Sequence, residues 1–228
     1  MENVCLIVFT DGRRGYLERT LASFDENLAG SFRFQILSDD SADPAFAAAL
    51  DAKWGHRFHI IDHHPERLGF CASIARTWEL IPSDNYYVFH LEDDFLLLRP
   101  VRLEDMSLVF FQNPRLMEIT FLRQPSGRIE TEAGGIWQCQ PAEYLERHLI
   151  TPDGRDIAWL EHSLPLWNTN PSLYPRSLTL NGFPEPPFCE RQFGLRGRDL
   201  GWRLAYWGTK HDAPLVEHIG IERKGTGY

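Results

Sequence analysis

Four short apolar runs alternate with three stretches of helical periodicity in the first 94 residues of the chain. The apolar runs fall within residues 3–10, 32–40, 57–62 and 85–94. Between them, apolar side chains recur every three or four residues: Leu17, Leu21, Phe24 and Leu28, then Phe46, Leu50 and Trp54, then Phe70, Ile74, Trp78 and Ile81. Strands and helices that alternate in this way form a mainly parallel sheet with helices on both faces. The pattern therefore predicts an α/β fold, in which ligands bind at the carboxyl ends of the strands.

The second half of the chain has a different pattern. Residues 126–188 are rich in Pro, Gly, Trp and Asn and contain few long periodic runs, which indicates irregular segments and short strands that line a site. A last helical stretch is predicted over 189–208. Because no linker separates the two halves, we expect a single domain over 1–228, divided into 1–125 and 126–228.

The composition narrows the class of protein. With 43% hydrophobic residues and a net charge of −9, the chain can bury a large core and has no broad attraction for nucleic acid or anionic membranes. No apolar run reaches the roughly 18 residues of a membrane span, and the first 14 residues do not resemble a signal peptide, so we expect a cytoplasmic protein. The cysteines form no C-x-x-C pair, which favours reduced thiols over a disulfide framework or a zinc site; they are Cys5, Cys71, Cys139 and Cys189.

Three consecutive acids, Glu92, Asp93 and Asp94, end the fourth apolar run. In a strand, side chains alternate, so Glu92 and Asp94 share one face and Asp93 points to the other. Two carboxylates on one face of a buried strand end repel each other unless a cation lies between them. Mg²⁺ and Mn²⁺ bind such oxygen ligands, usually one or two carboxylates together with substrate phosphates. The triplet therefore predicts a site for a divalent metal and a diphosphate; the alternative is that the acids merely solvate the strand end.

The order of elements and several motifs resemble the family 2-like GT-A glycosyltransferases, which use nucleotide-diphosphate sugars. The matching segments are FTDGRRGYLERTLASF (9–24), LSDDS (37–41), LGFCASIART (68–77) and EDD (92–94), the last in place of the D-x-D motif with Glu for the first Asp. The resemblance implies a GT-A (Rossmann-like) fold with a nucleotide-sugar-binding half at 1–125 and an irregular acceptor-side half at 126–228. It also implies donor contacts from Thr10, Asp11, Arg13, Asp39, Asp40, Gly69, Ala72, Arg76, Glu92 and Asp93, and metal contacts from Glu92 and Asp94.

Two later segments extend the resemblance. VEHIGIERKG (216–225) is similar to the C-terminal segment that supplies a third metal ligand in many GT-A enzymes, which implies that role for His218 and places Arg223 and Lys224 near the diphosphate. The alternative is a packed histidine. Glu190 stands where the family places its catalytic or acceptor-side acid. If the transfer inverts the anomeric centre, Glu190 is the first choice for the catalytic base and Glu185 the second; the sequence leaves inversion and retention open. An acid in the first turn of a helix is also explained by the helix dipole alone.

Other residues are weaker candidates. Trp137 could pack against the donor sugar or lie in the core. Asn168, Asn170 and Tyr174 are candidate acceptor contacts, although Asn-Pro and Tyr-Pro are also ordinary turn sequences. His63 and His64 lack metal-ligand spacing and are assigned to a loop.

These features predict a metal-dependent glycosyltransferase that uses Mn²⁺ or Mg²⁺ and moves a sugar from a nucleotide-diphosphate sugar, expected to be a UDP-sugar, to a hydroxyl. The acceptor partner is left open among a glycan, a small molecule and a hydroxylated base in modified DNA. A sugar nucleotidylyltransferase is the first alternative, but its G-x-G-x-R loop does not match TDGRRGY (10–16). A noncatalytic nucleotide- or glycan-binding module is the second.

Overall fold

The computed structural model of the protein describes residues 3–125, 127–139, 144–162 and 167–220. The helices are α1 (Arg14–Asn27), α2 (Pro44–Trp54), α3 (Phe70–Glu79), α4 (Leu103–Gln112), α5 (Gly127–Ala133), α6 (Ile136–Cys139) and α7 (Cys189–Asp199), with a 3₁₀-helix at Arg176–Asn181. The strands are β1 (Val4–Thr10), β2 (Leu28–Ala29), β3 (Phe34–Asp39), β4 (Ile60–His63), β5 (Tyr87–Glu92), β6 (Phe95–Leu97), β7 (Val101–Arg102), β8 (Leu116–Thr120), β9 (Tyr144–Ile150), β10 (Asp156–His162), β11 (Ser172–Pro175), β12 (Arg203–Trp207) and β13 (Val216–His218).

A central sheet of nine strands has the order β4-β3-β1-β5-β11-β8-β12-β10-β9. The first four of these strands are parallel to one another, as the alternation of strands and helices predicts. The remainder of the sheet is mixed, because β11 runs antiparallel between β5 and β8, and β9 and β10 form an antiparallel edge. The α/β class is confirmed, whereas the parallel arrangement is confined to the N-terminal strands.

Both faces of the sheet are covered by helices. The alternating side chains of β1 show this directly, because Val4, Leu6 and Val8 pack with α1, α2 and α4 on one face. Cys5 and Ile7 on the other face pack in the cluster that includes α3 and α7. The helix α2 begins as its sequence predicts, with Pro44 in the first turn and the Asp43 side chain accepting a hydrogen bond from Ala45 N at 2.9 Å. This two-faced packing holds the carboxyl ends of the first four strands in a fixed row.

Two predicted boundaries are corrected by the structure. The third strand begins at Ile60, because Phe58 N still bonds to the Trp54 carbonyl in the turn that ends α2. The last helical stretch ends at Asp199, where Gly201 adopts a φ of +80°, and residues 203–207 form β12 instead of a helix. The short strands expected within residues 126–188 include β9 and β10, which pair as an antiparallel hairpin.

The expectation of reduced thiols is wrong for two of the four cysteines. Cys71 at the start of α3 and Cys189 at the start of α7 form a disulfide, 118 residues apart in sequence. They meet because both helices pack on the same face of the sheet. Cys5 and Cys139 are free. Within the described ranges, no helix is long and apolar enough to cross a bilayer.

Candidate active site

The carboxyl ends of the parallel strands lie side by side at one edge of the sheet. In the strand register Thr10 pairs with Asp39, Phe9 with Glu92, and Asp39 with His63. The acids predicted after the second and fourth strands therefore lie on the same edge, where open α/β sheets bind their ligands.

The acid triplet surrounds a single guanidinium group. Arg13 lies in the loop between β1 and α1 and donates hydrogen bonds to Asp11 Oδ1 at 2.7 Å, to Asp94 Oδ2 at 2.5 Å and to Asp93 Oδ1. Asp93 and Asp94 thus reach the same cation, although strand alternation predicted opposite faces. The reason is that β5 ends at Glu92 and the chain turns at Asp93 and Asp94 before β6.

Asp93 is a structural acid in this arrangement. Its side chain is 0% exposed and accepts a second hydrogen bond from Thr10 Oγ1 at 2.6 Å. Thr20 Oγ1 donates to its backbone carbonyl at 2.8 Å. Burial raises the pKa of Asp93 to about 7, against the opposing effect of Arg13. Asp93 therefore holds Thr10 and Arg13 in place, and the donor contact expected of it stays a prediction.

Asp94 lies beneath the segment after β13, which here means Ile219 and Gly220. His218 Nε2 is 3.3 Å from Asp94 Oδ2, and Ile219 N donates to the Asp94 backbone carbonyl at 2.8 Å. The His218 ring also stacks on Phe95, with centroids 4.5 Å apart. Burial alone would raise the pKa of Asp94, but the His218 hydrogen bond and the Arg13 charge outweigh burial and hold this pKa below its usual value. Asp94 is therefore kept ionised.

Glu92 faces the second half of the chain. Burial and then the neighbouring Asp94 charge raise the pKa of Glu92 to about 7. Glu190, at the start of α7, accepts hydrogen bonds on Oε1 from Thr169 N at 2.8 Å and Thr169 Oγ1 at 3.0 Å. Burial and then the charge of Glu92 raise the pKa of Glu190 as well. Two carboxyl groups from opposite halves of the chain are thus electrostatically coupled across the site.

The side chains present fit a divalent cation only in part. Asp94 Oδ1 and Glu92 Oε1 are buried and have no hydrogen-bond partner among the described residues, and His218 offers a ring nitrogen beside them. Oxygen and imidazole ligands of this kind suit Mn²⁺ and Mg²⁺. However, no three His, Cys, Asp or Glu side chains of the described residues form a ready-made cluster. A metal here would need phosphate oxygens to complete its coordination.

The acids at the end of β3 are bonded within the protein. Asp39 Oδ2 lies 2.9 Å from His63 Nδ1, and its Oδ1 accepts from Ser41 N. Asp40 accepts hydrogen bonds from the backbone N–H groups of Leu68 and Gly69, at 2.7 and 2.9 Å. Gly69 has a φ of +78°, which a residue with a side chain rarely adopts. Asp40 therefore fixes the start of α3, which the family resemblance places near the nucleoside.

The two histidines assigned to a loop have roles that the sequence did not reveal. His63 ends β4, and His64 is buried with its ring nitrogens 3.0 Å from Asp40 Oδ1 and 3.2 Å from Asp62 Oδ2. Asp62 also accepts two hydrogen bonds from Arg76, so Arg76 is tied to the same network. The strand register that pairs Asp39 with His63 is the signal that could have found this network.

The remaining candidates are distributed differently from expectation. Tyr174 is fully buried and its hydroxyl accepts a hydrogen bond from Trp78 Nε1, so its assignment as an acceptor contact is corrected to a core residue. Asn168 Oδ1 closes a turn by accepting from Asn170 N and Thr120 Oγ1. Trp137 packs edge-on against Tyr144 and Tyr206, at centroid distances of 4.9 Å. Ala72 and Glu185 are exposed. Arg223 and Lys224 lie outside the described residues.

A buried acid on β8 was missed by the sequence analysis. Glu118 is 0% exposed, and Asn168 N lies 3.4 Å from its Oε2. Burial raises the pKa of Glu118 well above its usual value, so this carboxyl is held neutral. The segment LMEIT (116–120) gives no local sign of a functional acid.

Cavity size does not identify the site. A cavity of about 600 Å³ is lined by residues that include Leu116, Arg147, Glu161 and Arg203. Leu116 and Arg203 begin the parallel strands β8 and β12, and β8 runs in the same direction as β5, so this cavity lies at the end of the sheet opposite Glu92. The charged side chains at the carboxyl ends of the strands are the better guide to the position of the site.

Comparisons with known proteins bear on the fold of the chain. No protein-family profile and no curated protein matches the chain at a significant level. Solved structures do. The mannosyltransferase PcManGT from Pyrobaculum calidifontis, in complex with GDP-Man and Mn²⁺, superposes with a TM-score of 0.65 at 13% identity over 97% of this chain and 58% of its own.

The chain has the fold of the GT-A glycosyltransferases. S. aureus TarS in complex with UDP-GlcNAc gives a TM-score of 0.60 at 13% identity, covering 99% of this chain and 60% of that one. GalNAc-T7 with UDP, GalNAc and Mn²⁺ gives 0.62 at 11% identity, covering 95% and 43%. The chain thus spans 60% or less of the length of these three GT-A proteins.

Proposed function

We propose that the protein is a glycosyltransferase that moves a sugar from a nucleotide-diphosphate sugar to a hydroxyl acceptor. One observation carries the proposal: on a GT-A sheet, the acid triplet at the carboxyl end of β5 meets Arg13 and His218, and Glu190 from the acceptor-side half lies close enough for the charge of Glu92 to raise its pKa. In an inverting transfer, the leaving group of the donor and a base for the acceptor lie on opposite sides of the sugar, and these two carboxyls come from the corresponding halves of the chain.

The donor would lie along the carboxyl ends of β1, β3 and β5. Asp39 and the Asp40-anchored start of α3 at Gly69 would meet the nucleoside, and Arg13 the diphosphate. TarS and GalNAc-T7 have been solved with UDP, and PcManGT with GDP-Man. A UDP-sugar is our proposal for this chain.

A divalent metal, Mn²⁺ or Mg²⁺, would be held by Asp94, His218 and Glu92 together with the diphosphate oxygens. When bound, such an ion offsets the charge that builds on the departing diphosphate. The chain itself contributes a dry pocket: Asp94 is 3% exposed and Gly220 is buried against it. Excluding water there strengthens every charge interaction and limits donor hydrolysis.

Glu190 is the proposed base for the acceptor hydroxyl. Its two hydrogen bonds from Thr169 end on Oε1, and neither uses Oε2. A pKa raised above that of an ordinary glutamate moves this carboxylate toward neutral pH, where a general base is most effective. Glu185 is exposed to solvent, so it is the second choice for this base.

The acceptor class is also a proposal. A glycan or a small hydroxylated molecule suits a chain with a net charge of −9 better than modified DNA, because a polyanion is repelled by an acidic surface.

The decisive experiment measures nucleoside diphosphate release and sugar transfer with a panel of UDP- and GDP-sugars, Mn²⁺ and acceptors of each class. We expect Asp94→Asn to lose at least about 100-fold in turnover, because it removes the ionised oxygen at the leaving group. Asp84→Asn, an exposed acid paired with Arg33, is the matched control. A nucleotidylyltransferase would instead release pyrophosphate from a nucleoside triphosphate, and a binding module would bind the donor without turnover. Either result would replace the proposal.

A further inference from the structure

Arg13 occupies the position in which a cation is expected. Its three nitrogens contact three different carboxylates, those of Asp11, Asp93 and Asp94, and only 20% of its side chain is exposed. The loop that carries Arg13 contains Gly12 with a φ of +102°, so the backbone at this turn is specialised for glycine. This guanidinium is therefore built into the acid cluster and is not a surface side chain that happens to lie nearby.

The guanidinium and a metal would compete for one oxygen. Asp94 Oδ2 accepts the Arg13 hydrogen bond at 2.5 Å. The same oxygen lies 3.3 Å from His218 Nε2, a nitrogen that could bind a metal together with Asp94. Asp94 Oδ1 has no partner among the described residues. A divalent ion bound at Asp94 Oδ2 beside His218 would share that oxygen with Arg13, and two cations that close together would repel each other.

The segment after β13 closes over this ion pair. Gly220 is packed so closely that a Cβ atom there would clash with Asp94 Oδ2 and would lie 3.0 Å from Arg13 Nη1. The Ile219 N–H is bonded to the Asp94 carbonyl. The surroundings of Asp94 Oδ2 are consequently filled while Arg13 remains on it.

We propose that Arg13 is a resident counter-ion that keeps divalent metal off Asp94 until a diphosphate is present. The diphosphate offers the guanidinium a new anionic partner, so Arg13 moves from Asp94 to phosphate oxygens while Asp93 and Asp11 retain its loop. The metal then takes the vacated oxygen. Metal and nucleotide therefore bind as a coupled pair, and Arg13 is the positioning residue that couples them. This inference rests on the proposed nucleotide-sugar site.

The test measures Mn²⁺ binding directly, by the electron paramagnetic resonance signal of free Mn²⁺, with and without UDP. In the wild-type protein we expect weak Mn²⁺ binding alone and at least about tenfold tighter binding with saturating UDP, within the usual range of coupling between two sites. Arg13→Gln should bind Mn²⁺ at least about tenfold more tightly than wild type without UDP, and UDP should then add less. Arg14→Gln, an exposed neighbour paired with Glu18, should behave as wild type.

A second variant guards against misfolding, because Arg13→Gln leaves Asp93 buried without its cation. Asp93→Asn combined with Arg13→Gln removes that buried charge and should show the same gain in Mn²⁺ affinity. Asp94→Asn should abolish Mn²⁺ binding in either background. If the folded Arg13 variants bind Mn²⁺ no more tightly than wild type, the inference is overturned. These readouts need no sugar transfer, so an inactive protein that still shows the gain would contradict the proposed function alone.

Discussion

At the scale of single residues, the site depends on how carboxyl groups are partnered. Asp93 accepts hydrogen bonds from Arg13 and Thr10, and Asp94 is paired with Arg13 and His218. Glu190 accepts hydrogen bonds from the neutral donors of Thr169 and faces the like charge of Glu92. Asp94 is thereby held ionised, whereas burial raises the pKa of Asp93 to about 7 and raises the pKa of Glu190 above its usual value.

Glu190→Gln should separate catalysis from stability. Activity is expected to fall by about 100-fold or more, since a general base contributes that much. Because burial and Glu92 raise the pKa of Glu190, the folded state resists its ionisation, so this glutamate lowers stability as the pH rises from its unfolded-state pKa to its raised folded-state pKa. The variant should therefore melt at a higher temperature than wild type at pH 8 and at nearly the same temperature at pH 4. Thermal melts at the two pH values, alongside initial rates, check this.

Glu185→Gln is the control for this prediction, because Glu185 is exposed. It should change neither the rate nor the pH dependence of melting. Unchanged activity in Glu190→Gln would remove Glu190 from the mechanism, and a lower melting temperature at pH 8 would contradict the electrostatic account.

At the scale of elements, local patterns predict the first half of the fold and not the second. The runs that form β1, β3 and β5 are continuously apolar because these strands are buried on both faces. The edge strand β9 reads YLERHLI and is largely exposed, so neither an apolar run nor alternation marks it. Strand β11 has only four residues and owes its place between β5 and β8 to contacts far along the chain. The contact that Asp93 makes in the turn after β5 was missed for a similar reason, because its partner Arg13 lies 80 residues away.

The α3–α7 disulfide is the element-scale feature with the clearest test. It joins the start of α3, held by Asp40, to the residue before Glu190. Closing a loop of this length restricts the unfolded chain, so Cys71→Ser with Cys189→Ser should cost about 2–4 kcal/mol of unfolding free energy, measured by urea denaturation. Activity should fall further than binding of UDP, because the start of α7 that carries Glu190 loses its covalent anchor.

Cys139→Ser is the control, since Cys139 is free and part-exposed. It should match wild type in stability and rate. If the double serine variant kept full stability and full activity, the disulfide would have no role in positioning Glu190.

At the scale of the whole molecule, the site is assembled from segments that are distant in sequence. The loop after β1, the turn after β5 and the segment after β13 meet at Asp94, and the two-faced core holds them there. The family resemblance anticipated the acids and His218 because each stands in a short motif. It did not anticipate that Arg13 would pair with the acids, since that contact depends on the packing of all three segments.

Gly220→Ala tests whether this closure matters for the molecule as a whole. A Cβ at residue 220 would clash with Asp94 Oδ2, so the segment that carries His218 must move away from Asp94. We expect calorimetry to show UDP–Mn²⁺ binding weakened by about tenfold or more, since ligand groups must be held to within about half an ångström. The melting temperature should change little, because the apolar core is untouched. Gly15→Ala is the matched control: a Cβ there meets nothing within 4 Å, and alanine in place of glycine favours the helix α1. Equal UDP–Mn²⁺ affinity in the two variants would show that the segment after β13 does not close the site.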